Sequence, residues 1–187
     1  MNLEMIFHFD HPHFGTIAEV SDVVGGKGAS LWAMTSRLGL PTPPGFTIGV
    51  NTCAMLGNSE ATENFTARMN NAIARLERET GKQLGDSKNP LLLAVRSGAS
   101  VSMPGMMETI LNVGVTPLTL PALQNITGDN FFALDSYRRF LEGFCKSTLN
   151  IDHFMFDAQA IEEAGLPDHI KDLETVISER IGGERLR

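Results

Sequence analysis

Segments of this sequence carry residue types suited to holding phosphate. The first, Gly25-Gly26-Lys27-Gly28-Ala29, sets a lysine among glycines. Glycine lets backbone N–H groups approach an anion closely, a helix beginning there adds partial positive charge, and the lysine supplies a mobile cation. It is not a Walker A loop, because Gly28 stands where Ser or Thr is required after the lysine. An ordinary turn has the same composition. In Ala94-Val95-Arg96-Ser97-Gly98-Ala99 an arginine closes an apolar run. Its planar fork matches phosphate oxygens in parallel hydrogen bonds, and pairing with a carboxylate is its other common use. The third segment, Ser100 to Thr109, gathers Met103, Met106 and Met107 around Pro104-Gly105 and ends on Glu108. The methionines either fill an irregular gap or cover a flat aromatic such as adenine. Glu108 is a metal ligand, a catalytic acid or a solvated side chain.

Those segments need elements to position them. A short strand is expected at Met5–Phe9, before the turn-forming Asp10-His11-Pro12. The glycine-rich turn at 25–28 should open a helix to about Leu38, with Leu31, Met34 and Leu38 on one face. Pro41, Pro43 and Pro44 force extended chain, Gly45–Val50 reads as a strand, and Asn51 or Thr52 can cap a short helix. From Glu63 to Thr80 the apolar spacing is helical, through Phe65, Met69, Ile73 and Leu76. Leu91–Val95 reads as a strand buried on both sides, and Thr109–Val113 as another. Helices are expected at Asn130–Leu149, capped by Asp129, and at Pro167–Ile181. The whole is α+β: a small sheet with flanking helices, then a helical C-terminal part. The organisation expected is an α/β nucleotide-binding subdomain over 1–115 and a helical extension of it over 116–187.

The chain has 187 residues, 42% hydrophobic, which suits a globular protein that needs no staples. Two cysteines, Cys53 and Cys145, have no metal-ligand spacing and read as reduced thiols. The net charge of −7 argues against a nucleic-acid or membrane-surface binder, though not against a small anionic ligand. Met1–Asp10 lacks the basic start and apolar run of a secretory signal, and no apolar stretch reaches bilayer length, so the cytoplasm is the expected location. His8, His11 and His13 cluster near Asp10 without matching ligands, a surface group rather than a metal site.

Taken together, GGKGASL, then Leu40-Pro41-Thr42-Pro43-Pro44-Gly45-Phe46-Thr47, Pro90–Arg96 with Ser97-Gly98-Ala99, SMPGMMETILNVG and Asp135-Ser136-Tyr137-Arg138-Arg139-Phe140 resemble the N-terminal nucleotide-binding domain of the pyruvate phosphate dikinase family. They occur in that family's order, over roughly Phe7 to Ile151. The resemblance implies the N-terminal part of an ATP-grasp-like domain and a phosphotransferase of pyruvate metabolism. In that reaction ATP, phosphate and pyruvate exchange with AMP, pyrophosphate and phosphoenolpyruvate through a phosphohistidine on another domain. Lys27 and Arg96 would hold the ATP phosphates and neutralise charge during transfer. Gly25, Gly26, Gly28, Gly98, Ser102, Met103, Gly105 and Thr109 would line or adjoin the nucleotide loop. ATP or AMP, Mg²⁺ and the remaining domains of the enzyme are the implied partners. Phosphoenolpyruvate synthase and its relatives share the opening motif, but SMPGMMET sides with the dikinase. Departures are Ser30, Trp32 and Glu108, where the family often has Asn, Ala and Asp.

In the family the Mg²⁺ ligands and a further phosphate-binding arginine come from later sequence. The carrier histidine sits in a Thr-Ser-His-type motif that none of His8, His11, His13, His153 or His169 shares. The chain alone is therefore expected to be an inactive portion holding part of an ATP site. The alternatives are a stand-alone nucleotide-binding or interaction module, a fragment of phosphoenolpyruvate synthase, or self-association through a face that further sequence would cover.

Overall fold

The computed structural model describes residues 5–12, 15–57, 59–97, 109–151 and 165–182. The architecture is α+β, with helices and two small antiparallel sheets of two strands each. The chain divides into two units, the first holding described residues 5–81 with Ser97, the second 82–96 and 109–182.

In the first unit β1 (Ile6–His8) pairs antiparallel with β2 (Phe46–Ile48), Phe7 opposite Thr47 and Ile6 opposite Ile48. Side chains alternate across a strand, so the ribbon has two working faces. Phe7 joins Val20, Val24, Ala29, Trp32 and Ala33 of the helical segment that follows. On the opposite face, Ile6 and Phe46 pack with Met55, Phe65, Met69 and Ala72. Those residues come from α2 (Thr52–Met55) and α3 (Ser59–Thr80), the second beginning four residues before the expected Glu63.

The helix α1 runs Ile17–Trp32 and passes into a π-helical turn, Ala33–Arg37. It does not begin at the glycines. Thr16 and Glu19 cap it reciprocally, Glu19 N–H donating to Thr16 Oγ1 at 3.3 Å and Thr16 N–H to Glu19 Oε2 at 2.7 Å. The connection from β1 is tied down from the π-helical end. Trp32 Nε1 donates to His11 O at 2.9 Å, Ser36 Oγ to Phe9 O at 3.1 Å, and Arg37 to Gly15 O while lying over the Trp32 ring.

In the second unit β3 (Leu93–Arg96) pairs antiparallel with β4 (Thr109–Val113), with an irregularity between Leu93 and Val95. The expectation of a strand buried on both faces at Leu91–Val95 is corrected: Leu91 is buried ahead of the strand, while Ala94, Val95 and Arg96 are exposed. An apolar run marks burial only when elements cover both faces, and this pair forms a two-stranded ribbon. Among the described residues three helices follow: α4 (Leu120–Thr127), α5 (Asn130–Leu149) and α6 (Leu166–Arg180). Asp129 caps α5 through Phe132 N–H at 2.9 Å, as expected from sequence. Ala133, Tyr137, Leu141 and Cys145 of α5 form the centre of one core with Val115, Leu123, Ile170, Leu173 and Ile177. No helix among the described residues is long and apolar enough to cross a membrane.

Candidate functional site

The lysine of the glycine-rich segment sits inside α1, just after a break in it. Gly25 has φ 74° and ψ 162°, far from helical values, and the chain resumes helical geometry beyond it. A side chain at such a dihedral pair costs on the order of 1–3 kcal/mol, so glycine is required here. A helix that stops and restarts is where backbone N–H groups become available to an anion. The expected turn is therefore present, but as an interruption: the sequence Ile17–Val24 before it is already helical.

The chain just before the break is held from beyond β2, Val50 N–H donating to Val23 O at 2.9 Å. Gly28 is buried, while Lys27 beside it is exposed. Lys27 Nζ donates to Ser97 O at 3.0 Å. Ser97 belongs with Lys27 to the first unit.

Arg96 ends β3 with an exposed side chain, paired in register with half-buried Thr109. Among the described residues no carboxylate pairs with Arg96. Lys27 and Arg96 belong to the first and second units respectively. Gly25, Gly26, Lys27 and Gly28 are together on α1, and Arg96 and Thr109 are together on the β3–β4 ribbon. Gly98, Ser102, Met103, Gly105 and Glu108 lie outside the described residues.

Other charged groups have local partners. Arg138 bonds Asp135 and Glu142, both at 2.6 Å, and Arg139 bonds Asp135 at 2.6 Å. Burial tends to raise the Asp135 carboxyl pKa, but the hydrogen bonds from Arg138 and Arg139 outweigh it and hold the group below its ordinary range. The arginines of this stretch thus serve the helix. Cys145 is buried, and that burial with the nearby Glu142 charge pushes its thiol up to about 11, which leaves it inert as a nucleophile. Tyr137 donates to Glu174 at 2.7 Å across α5 and α6, and burial followed by that bond raises its pKa.

In the first unit Asp10 is paired to Arg75, whose hydrogen bond lowers the carboxyl pKa. Burial, then the Arg75 charge, lowers that of His8 and favours its neutral form. His13 lies outside the described residues. Among the described residues no three His, Cys, Asp or Glu side chains converge on a metal position. Mg²⁺ therefore finds no ligand set in them.

Sequence reasoning missed the Thr16 cap, whose signal, Thr followed three residues later by Glu, was present. It also missed Val50, whose backbone N–H holds the chain before the break from beyond the end of β2 and so leaves no side-chain signal.

No family model matches the chain. Curated relatives do. A protein named pyruvate, phosphate dikinase from Rickettsia bellii is 43% identical over 156 residues, 82% of this chain and 18% of the relative. One of the same name from Rhizobium meliloti is 42% identical over 159 residues, 84% of this chain and 18% of the relative. Another from Giardia intestinalis is 47% identical over 139 residues, 72% of this chain and 15% of the relative. The chain thus spans less than a fifth of the length of these relatives.

Proposed function

Because the chain is homologous to pyruvate, phosphate dikinases over most of its length, we propose that it supplies part of the ATP-phosphate site of such an enzyme. Lys27 and Arg96 are its phosphate ligands in this reading, with the Gly25–Gly28 break offering backbone N–H groups beside Lys27. The observation that carries it is Lys27: an exposed ammonium on a glycine break in a helix, its Nζ 3.0 Å from Ser97 O. Arg96, exposed on its ribbon, adds a planar fork suited to phosphate.

The reaction proposed for the whole enzyme is that of the relatives' name, joining pyruvate, ATP and phosphate to phosphoenolpyruvate, AMP and pyrophosphate through a carrier histidine. The two cations would bind and orient phosphate oxygens and offset charge that develops on them during transfer. Mg²⁺, when bound by ligands outside the described residues, would add charge neutralisation. The fold is proposed as the N-terminal part of an ATP-grasp-like domain. Gly98, Ser102, Met103, Gly105 and Thr109 are proposed to adjoin the nucleotide. The isolated 187-residue chain is expected to bind without turnover, in the cytoplasm.

Calorimetric titration with ATP and Mg²⁺, beside a Lys27→Ala/Arg96→Ala variant, tests this. Saturable binding that the variant loses supports the reading. Equal binding by both proteins overturns the assignment of these residues, and no binding by either denies this chain a ligand site of its own.

A second reading, a module covered by other polypeptide or by a second copy, is favoured by Ile126, Phe131 and Phe132. These are 60%, 70% and 51% exposed around the α4–α5 turn. A clean monomer by light scattering across a wide concentration range would count against self-association.

A further inference from the structure

A lysine on a flexible side chain binds well only if its Cα starts from a fixed place. We infer that Thr47 is a positioning residue for the Gly25–Gly28 segment, acting through Gly28; the inference rests on the reading of Lys27 as a phosphate ligand. Thr47 lies on β2 opposite Phe7, on the ribbon face that packs against α1. A Cβ placed on Gly28 would stand 2.9 Å from Thr47 Oγ1, 3.0 Å from Thr47 Cγ2 and 3.1 Å from Val24 Cβ. Carbon atoms do not tolerate such approaches without a shift, and a β-branched side chain on a strand has few rotamers into which to escape.

The demand for glycine at position 28 is therefore different from that at 25. Gly25 answers to a positive φ, whereas Gly28 has no such dihedral and answers to the Thr47 side chain. The two residues form a fitted pair, and Lys27 is bonded directly to one member of it. The same stretch of chain grips the other side of the break, through Val50 N–H to Val23 O at 2.9 Å. One strand and its continuation thus fix both sides of Gly25, so a change in Thr47 size should be felt at Lys27 before it is felt in the fold.

The test uses Gly28→Ala, Thr47→Ala, Thr47→Val and the double variant Gly28→Ala/Thr47→Ala. The readouts are ATP–Mg²⁺ affinity by calorimetry, amide hydrogen exchange at Lys27 and Ala29, and urea denaturation to separate global unfolding. Gly28→Ala should weaken binding by about tenfold or more, the scale of a misplacement approaching 1 Å. Thr47→Val keeps the branched shape and removes only the hydroxyl, so it should lose far less than Gly28→Ala does. The double variant should regain much of what Gly28→Ala loses, because the two closest obstructing atoms are gone and only Val24 Cβ at 3.1 Å remains. If it binds no better than Gly28→Ala, the pair is not fitted and the inference falls. Should Gly28→Ala fail to fold, Thr47→Ala against Thr47→Val decides. Faster exchange at Lys27 in the first and not the second supports the inference, and equal exchange in both overturns it. If the unmodified chain binds no ATP, the phosphate reading fails by itself. Exchange then judges the fitted pair: local acceleration in Gly28→Ala reversed in the double variant supports it, and its absence overturns it.

Discussion

In the first unit the buried side chains fall into two small clusters, one on each face of the β1–β2 ribbon, while in the second they form one continuous cluster built on α5. The charged groups divide less cleanly, since Arg75 of the first unit is also paired, with Asp10 and Glu79. Arg138 and Arg139 are committed to Asp135 and Glu142, whereas Lys27 stands exposed beside a glycine break. A continuous core with internally neutralised charge stabilises a fold. A thin, divided core leaves main chain and a cation near the surface, where a ligand can reach them. The comparison places stability chiefly in the second unit and candidate chemistry chiefly in the first, with Arg96 the exception.

The comparison breaks most readily at Leu141, which is 0% exposed at the centre of the α5 core. Leu141→Ala should cost about 2–5 kcal/mol, read as a lower urea midpoint. A loss below about 1 kcal/mol would mean that α5 is not the centre of stability claimed here.

Asp135 gives the next effect, through pH. Its folded pKa lies below the ordinary 3.8, so its contribution is fully present above that value and is lost as pH falls through the depressed folded value. Asp135→Asn should destabilise by roughly 1.5 kcal/mol at neutral pH, the worth of hydrogen bonds to a charged group. It should also flatten the fall in stability below pH 4 (about the ordinary carboxylate pKa). Denaturation curves between neutral and strongly acidic pH check both. An unchanged acid slope would show that the Arg138 and Arg139 bonds add little.

A smaller effect belongs to the first unit. Thr16→Ala removes the hydroxyl arm of the cap on α1, leaving the backbone N–H bond to Glu19, and should cost about 1 kcal/mol. Thr16→Ser should restore it, measured by the same denaturation. The smallest stability effect is expected at Lys27: Lys27→Ala should change stability by less than about 0.5 kcal/mol while nucleotide affinity falls. Large losses in both would make Lys27 a structural residue and erase the contrast.

Much of the helical architecture was legible in the sequence. Asn130–Leu149 with its Asp129 cap and the strand Thr109–Val113 match the structure, and the last helix differs by a residue at each end. These elements have strong periodicity or clear caps, so local signals and packing agree. The segment Ile17–Val24 escaped notice because Gly25-Gly26 suggested a helix beginning rather than one interrupted. Periodicity cannot tell a break from a start. Leu91–Val95 misled for another reason: whether an apolar run is covered depends on elements distant in sequence. The motifs marked Lys27 and Arg96 as candidates, but the contact between Gly28 and Thr47 joins residues far apart in the chain and leaves no local trace.

The Trp32–His11 bond has a practical consequence. The sequence contains 1 Trp and 1 Tyr. Trp32 lies in the first unit at 3% exposure and Tyr137 in the second at 2%. Each unit therefore carries its own built-in fluorophore, shielded from water until that unit opens. Selective excitation of the indole, with the phenol followed in a Trp32→Phe variant, makes the unfolding of each unit visible without attaching a dye. Coincident transitions would mark the two units as one cooperative body; separated transitions would let the glycine-broken helix be watched melting while α5 stays folded.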